Sequence, residues 1–211
     1  MSTILHFSAL YTEEGWAPAG SAAVDFTLVE GTNCYCSPAA AKEVRRRLAA
    51  LPQSGLFWID TGDYHYVSLL RMELVREPFA LVLLDHHPDD QPGAFGEGML
   101  SCGGLVQTAR QSLPLLKKDC LNSARIPSGL PVFLSIDLDW LSREYARTDW
   151  DQGSATLPQL LETAERIGAE HRVLGIDVCG GITAAKGATA EDRLVNARTR
   201  AVLEEHLPKL L

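Results

Sequence analysis

Ala80-Leu81-Val82-Leu83-Leu84-Asp85-His86-His87-Pro88-Asp89-Asp90 is the stretch on which the fold turns. It opens as a continuous apolar run and ends abruptly in acids and imidazoles. An apolar run without alternation suits a strand buried on both faces, as in a parallel sheet covered by helices. Four more short runs read the same way: Ile4–Phe7, Leu56–Ile59, Val132–Ile136 and Val173–Val178. Helical patterns lie between them. Ser37-Pro38 places an N-cap and a first-turn proline before Ala39–Leu51. Tyr66–Val75 and Leu105–Leu116 follow, the latter interrupted by Pro114. Thr156–Ala169 tolerates Pro158 in its first turn, and Thr189 opens a last helix running to about His206. Strand alternating with helix predicts an α/β doubly wound sheet. The Pro/Gly-rich piece Pro92–Gly98 reads as a loop inside one domain spanning 1–211.

Composition narrows the function classes. The chain has 211 residues, of which 46% are hydrophobic and 22% charged, so it is neither disordered nor fibrous. The formal net charge of −8 argues against a nucleic-acid partner, which requires a positive field. No apolar run approaches the roughly 20 residues of a bilayer span, and the first residues lack the pattern of a signal peptide. Five cysteines, an odd number, point to reduced thiols and a cytoplasmic location. Cys34 and Cys36 form a lone C-x-C without the second pair that zinc sites use. Oligomeric state is open, a homo-oligomer included.

The chemistry is expected where ligands bind in open α/β sheets, beyond the carboxyl ends of the strands. Val132-Phe133-Leu134-Ser135-Ile136 ends in Asp137-Leu138-Asp139, a second acidic strand end. Residues two apart in extended chain face one side. Asp85, His87 and Asp89 therefore share a side as far as the strand persists, as do Asp137 and Asp139. A buried, uncompensated carboxylate costs several kcal/mol, and neither cluster contains a lysine or arginine. Two divalent cations would balance four carboxylates. Leu56–Ile59 leads into Asp60-Thr61-Gly62-Asp63-Tyr64-His65, which adds an imidazole after a third strand. A mixed nitrogen and oxygen set suits Mn²⁺ and is compatible with Fe²⁺, Co²⁺ or Zn²⁺.

These residues resemble a known family. Asp85-His86-His87-Pro88-Asp89 is similar to the D-A-H-x-D motif of the ureohydrolases, which include arginase, agmatinase and formimidoylglutamase. Ser135-Ile136-Asp137-Leu138-Asp139 resembles their S-x-D-x-D motif. Thr61-Gly62-Asp63-Tyr64-His65 resembles their G-G-D-H or G-G-x-H motif with one extra residue, Tyr64. The resemblance runs from about Leu56 to Ala201; the first fifty residues match poorly and the chain is shorter than most members. It implies a three-layer α/β/α fold with a mainly parallel sheet, arginase/deacetylase-like, and two divalent ions, by preference Mn²⁺. It implies that Asp85 and Asp137 bridge the ions, that His65 and Asp89 complete one ion's ligands, and that His87 and Asp139 complete the other's.

Two departures bear on substrate. Cys102, in Leu100-Ser101-Cys102-Gly103-Gly104, lies near the place of a proton-transferring His in arginases. Gly180, in Gly175-Ile176-Asp177-Val178-Cys179-Gly180-Gly181, stands where guanidinium-hydrolysing members carry a cation-pairing Glu. Arginine is therefore not the expected substrate. The expected reaction is hydrolysis of a C–N bond in a small amidine or amide by a metal-bridging hydroxide. Asp89 would orient that hydroxide, with Cys102 either a proton donor or a small residue packed beside glycines. Asp149 and Asp151 either recognise a basic group or are solvated loop acids. Two other readings stand beside this one. Asp85-His86-His87 also resembles the D-H-H motif of manganese phosphoesterases, although the earlier His and D-x-D segment of that family is missing before Leu56. The fold could also hold metals without turnover.

Overall fold

The computed structural model describes residues 2–93, 98–123 and 125–211. Seven strands form one sheet: β1 (Ser2–His6), β2 (Ala22–Asp25), β4 (Leu56–Ile59), β5 (Phe79–Leu84), β7 (Leu116–Leu121), β8 (Val132–Asp137) and β9 (Val173–Cys179). Their order is β2-β1-β4-β9-β8-β5-β7, and every neighbouring pair is parallel. A separate antiparallel ribbon joins β3 (Tyr35–Cys36) to β6 (Leu100–Ser101). The helices are α1 (Leu10–Glu14), α2 (Pro38–Leu48), α3 (Val67–Met72), α4 (Leu105–Ser112), α5 (Leu157–Glu170) and α6 (Ala190–His206).

Side chains alternate across each strand, so the continuous apolar runs fill two separate cores. Leu81, Leu83, Phe57 and Phe133 pack with Ala40, Val44, Leu69 and Ala109 on one face, the side of α2, α3 and α4. Val82, Leu84, Trp58, Leu134 and Ile176 pack with Leu10, Leu160, Ile167 and Leu203 on the other, the side of α1, α5 and α6. The result is the three-layer α/β/α arrangement expected from the unbroken hydrophobicity of β5 and β8.

All five expected strands are present. The sequence did not reveal β2 and β7, which are edge strands. Lys117 and Lys118 are exposed on β7, and most of β2 is exposed. Polar, short edges resist pairing with another chain, and the same polarity hides them from a search for apolar runs. The helix starts are set by local chemistry. Ser37 Oγ accepts the Ala40 N–H at 3.2 Å, and Thr156 and Thr189 each form a capping box. The ends come earlier than expected in three helices, α4 among them, which stops at Ser112 ahead of Pro114. Pro52 disfavours helical backbone at Leu51, and α2 stops at Leu48. Beyond α3, Leu74 and Val75 donate to Arg71 and Met72, a tightened i to i+3 turn in place of a further α turn. The loop expected over Pro92–Gly98 falls in part on residues 94–97, outside the described residues. No helix among the described residues is long and apolar enough to cross a membrane.

Leu134 is fully buried at the middle of the central strand β8. Leu134→Ala is expected to lower unfolding free energy by about 2–5 kcal/mol. The reduction would be read as a lower denaturant midpoint with little change in slope.

Candidate metal centre

Four of the five inner strands, β4, β9, β8 and β5, deliver their carboxyl ends to one place. Asp137 is the last residue of β8, and Asp139 sits on the 3₁₀ turn Leu138–Trp140 that follows. β5 ends at Leu84, so Asp85, His87 and Asp89 are loop residues, and Asp89 has a left-handed φ of 46°. The alternation rule therefore does not bring these three together; the loop does. Tyr64 is absorbed by a 3₁₀ turn over Gly62–Tyr64, which leaves His65 at its end turned towards the acids.

All six expected ligand side chains converge. His65 Nδ1 lies 3.2 Å from Asp85 Oδ2, 3.1 Å from Asp89 Oδ2 and 3.7 Å from Asp137 Oδ2. His87 Nδ1 lies 2.9 Å from Asp139 Oδ2 and 3.6 Å from Asp85 Oδ1. Three donor groups result: His65, Asp85 and Asp89; Asp85, His87 and Asp139, which shares Asp85 with the first; and His65 and Asp137 with Cys179. Asp85, Asp89, Asp137 and Asp139 are all buried, and among the described residues none of them pairs with a lysine or arginine. Asp89 Oδ2 is buried without a hydrogen-bond partner. An orphaned carboxylate oxygen facing an imidazole nitrogen across a cluster of acids offers a place for a cation. The donor set fits divalent metal.

The proton distribution reflects that missing charge. Burial pushes Asp137 up to about 6, helped by Asp85. Burial together with Asp137 and Asp85 pushes Asp139 up to about 10, and burial also raises Asp89. Burial opposes ionisation of Asp85 too, but hydrogen bonds from His65 and His87 outweigh it and hold its carboxyl below the usual range. For His65, burial works against the cation, yet the surrounding Cys179, Asp85 and Asp89 raise it well above an ordinary imidazole.

A scaffold of hydrogen bonds aims the ligands. Asp85 Oδ1 accepts the His87 N–H at 2.6 Å, Asp137 Oδ1 accepts the Asp139 N–H at 2.9 Å, and Asp139 Oδ1 accepts the His86 N–H at 3.0 Å. Asn122, at the end of β7, clamps Asp85 through its backbone: its Oδ1 accepts the Asp85 N–H at 2.9 Å and its Nδ2 donates to the Asp85 carbonyl at 2.6 Å. Behind His65, Nε2 meets Ser135 Oγ at 2.8 Å, and Ser135 Oγ donates to Ser68 Oγ at 3.1 Å. Beneath them Arg71 Nε donates to Asp177 Oδ1 at 2.6 Å, its guanidinium 3.2 Å above the Phe57 ring centre. Cys179, the last residue of β9, donates its thiol to Asp137 Oδ2 at 3.0 Å. Asn122, Ser68, Arg71 and Cys179 were not singled out from sequence. Only Cys179 carried a signal, its place at a strand end.

Two glycines squeeze the Asp137 carboxylate. A Cβ on Gly62 would lie 3.0 Å from Asp137 Oδ2, and one on Gly180 would lie 2.7 Å from Asp137 Oδ1 and 2.8 Å from Leu138 Cβ. Gly180 also has a φ of 104°, and its carbonyl accepts Arg200 Nη2 at 2.8 Å while Arg200 pairs with buried Glu14. The missing Glu is thus no simple deletion; this backbone leaves no room for a side chain there.

The ligands floor a cavity of about 230 Å³ with Cys34, Tyr35, Gln91, Cys102 and Trp150 among its walls. Cys102 therefore reaches the cavity, and burial pushes its thiol up to about 11. Asp63 braces two walls, accepting from Cys34 Sγ at 3.2 Å and Trp150 Nε1 at 3.1 Å. Asp149 is buried 3.5 Å from Lys186 Nζ, outside the cavity, whereas Asp151 is exposed. A larger open cleft of about 700 Å³, beside His86 and Arg166, contains none of the six ligands.

No protein-family model matches the chain. An uncharacterized protein of Thermotoga maritima is 25% identical over 196 residues, which span 84% of this chain and 78% of the relative. Solved structures match at lower identity. Proclavaminate amidino hydrolase from Streptomyces clavuligerus has a TM-score of 0.71 at 14% identity, covering all of this chain and 92% of its own. Formimidoylglutamase from Bacillus subtilis has a TM-score of 0.66 at 12% identity, covering 99% and 86%. Arginase from Bacillus cereus has a TM-score of 0.66 at 12% identity, covering 98% and 97%. These likenesses establish that the chain has the arginase-like α/β fold.

Ser135→Ala removes the partner that fixes the His65 ring. Metal affinity is expected to fall by roughly 10–100-fold, measured by metal-binding calorimetry with the fold checked by circular dichroism. Raised carboxyls and imidazoles must lose protons before they bind a cation. Affinity for Mn²⁺ is therefore expected to rise with pH from about 6 towards about 10, the range set by Asp137 and Asp139. Calorimetry in buffers of different ionisation enthalpy should show proton release at pH 7; uptake or no exchange would contradict this assignment.

Proposed function

We propose that the protein is a binuclear-metal hydrolase that cleaves a C–N bond in a small amide- or amidine-type molecule, a neutral amide by preference. The single observation that carries this reading is the orphaned Asp89 oxygen within a six-residue cage that, among the described residues, no lysine or arginine enters. The fold shared with amidine- and guanidine-hydrolysing proteins supports the same reaction class. In it, Asp85 and Asp137 would be shared between two divalent ions, with His65 and Asp89 as the further residues that would hold one and His87 and Asp139 those that would hold the other. The nitrogen and oxygen donors suit Mn²⁺.

When bound, the ions supply an activated water at neutral pH and positive charge against the electrons of the breaking bond. The chain's own residues do the rest. Asp89 would orient the attacking water. Ser135 and Asn122 keep His65 and Asp85 in place. Apart from the ligands, the walls Cys34, Tyr35, Gln91, Cys102 and Trp150 carry no formal charge at neutral pH, and Gly180 provides no acid for a guanidinium. This favours a neutral substrate small enough for about 230 Å³ over arginine or agmatine. The protein is proposed to work in the cytoplasm on a small molecule, as one domain or a homo-oligomer of it.

The D-H-H phosphoesterase reading gains nothing from the fold, whose likeness is to amidino- and ureohydrolases. Elemental analysis is expected to find two metal ions per chain, and a screen of amides, amidines and guanidines should yield ammonia release from neutral compounds. Asp137→Asn is expected to lose both the activity and most of the metal. A variant that kept two tightly held ions would refute the bridging role of Asp137, and a fully loaded protein inert to the whole panel would leave metal binding without turnover.

A further inference from the structure

The two metal positions are not chemically equal. One is built from Asp85, His87 and Asp139, all nitrogen and oxygen donors. At the other, a third donor group overlaps the first: His65, Asp137 and Cys179 place one nitrogen, one oxygen and one sulfur within 4.8 Å of one another. Cys179 Sγ is already 3.0 Å from Asp137 Oδ2. It is 2% exposed and is fixed there as the last residue of β9, whose register pairs it with Asp137 of β8. The orphaned, buried Asp89 Oδ2 faces His65 Nδ1 at 3.1 Å, so the imidazole shared by both groups looks onto a cation position independently of the cysteine.

We propose that Cys179 is a sulfur ligand at the His65 position, which makes that half of the centre selective for a thiophilic ion such as Zn²⁺, Co²⁺ or Fe²⁺ and leaves the His87 position to Mn²⁺. Soft thiolate selects such ions, whereas carboxylate and imidazole alone tolerate manganese. On ligation the S–H bond breaks, the sulfur lone pair forms the bond to the ion, and the proton leaves to solvent; no electron transfer is involved. A bound cation inverts the local preference for a neutral thiol, because its charge is the largest in the site. In the metal-free protein the same thiol instead donates to Asp137, so the cysteine is satisfied in both states. This inference rests on the binuclear reading above and refines it.

The test is titration of the metal-free full chain with Co²⁺, followed by optical absorption. A sulfur-to-cobalt charge-transfer band in the near ultraviolet is expected with the first equivalent. It should persist in the Cys34→Ser/Cys102→Ser variant, which removes the two thiols on the cavity wall, and vanish in Cys179→Ser. That variant should bind the first equivalent at least roughly tenfold more weakly and the second unchanged. X-ray absorption of the zinc-loaded wild-type protein should show a sulfur scatterer at about 2.3 Å, which decides the matter even if Cys179→Ser does not fold. Two bound ions with no band and no sulfur scatterer would overturn the role of Cys179 and leave the binuclear centre standing. A band lost with Cys34 and Cys102 would overturn it equally. Failure to bind metal at all would overturn the binuclear reading and this inference with it.

Discussion

Four carboxylates are buried together at the carboxyl ends of β5 and β8, against two imidazoles and, among the described residues, no lysine or arginine. That unbalanced charge is the constraint on which the rest of the site depends. Burial and neighbouring acids drive Asp137 and Asp139 high, Cys179, Asp85 and Asp89 raise the imidazole of His65, and hydrogen bonds from the two imidazoles hold Asp85 low. The unbalanced charge also explains the density of hydrogen bonds around the acids, since each backbone N–H that reaches a carboxylate reduces the cost of keeping it out of water. Three such bonds come from His86, His87 and Asp139, residues within the two clusters themselves. Each loop thus partly solvates its own acids or its neighbour's, and only a cation completes the balance.

Much of this was legible in the sequence because strands buried on both faces leave an unmistakable trace. Leu81 and Leu83 go to one core and Val82 and Leu84 to the other, so no polar residue interrupts the run until the sheet ends. The first polar residues after such a run are then at the functional edge. The edge strands β2 and β7 were invisible for the converse reason: their faces meet solvent, and their sequences read as loop. The site followed the same division. Ligands next to apolar runs could be read directly. Asn122, Ser68 and Arg71 could not, because their importance comes from pairing in space across separate segments. His65 and Ser135, 70 positions apart, touch only because β4 and β8 both flank β9.

The departures in the sequence acquire a structural reason. A glycine at position 180 follows from how closely the chain after β9 approaches the Asp137 carboxylate. The buried Arg200, paired with Glu14 and bonded to the Gly180 carbonyl, holds that approach in place. Cys102 differs: it lies on the cavity wall beside Gly103 and Gly104, with burial keeping it protonated. The cavity therefore keeps the acids of a metal cage while its walls turn to thiol, amide and aromatic groups.

The donors come from three loops that are far apart along the chain and meet only once the sheet has its full strand order. An unfolded chain offers no such cage, so divalent ions held as proposed would favour the native state and shift the folding equilibrium by mass action. The melting temperature of this protein would then be a function of free ion concentration, rising with each tenfold increase above the dissociation constant. The melting curve thereby becomes a direct gauge of how well the cage is assembled.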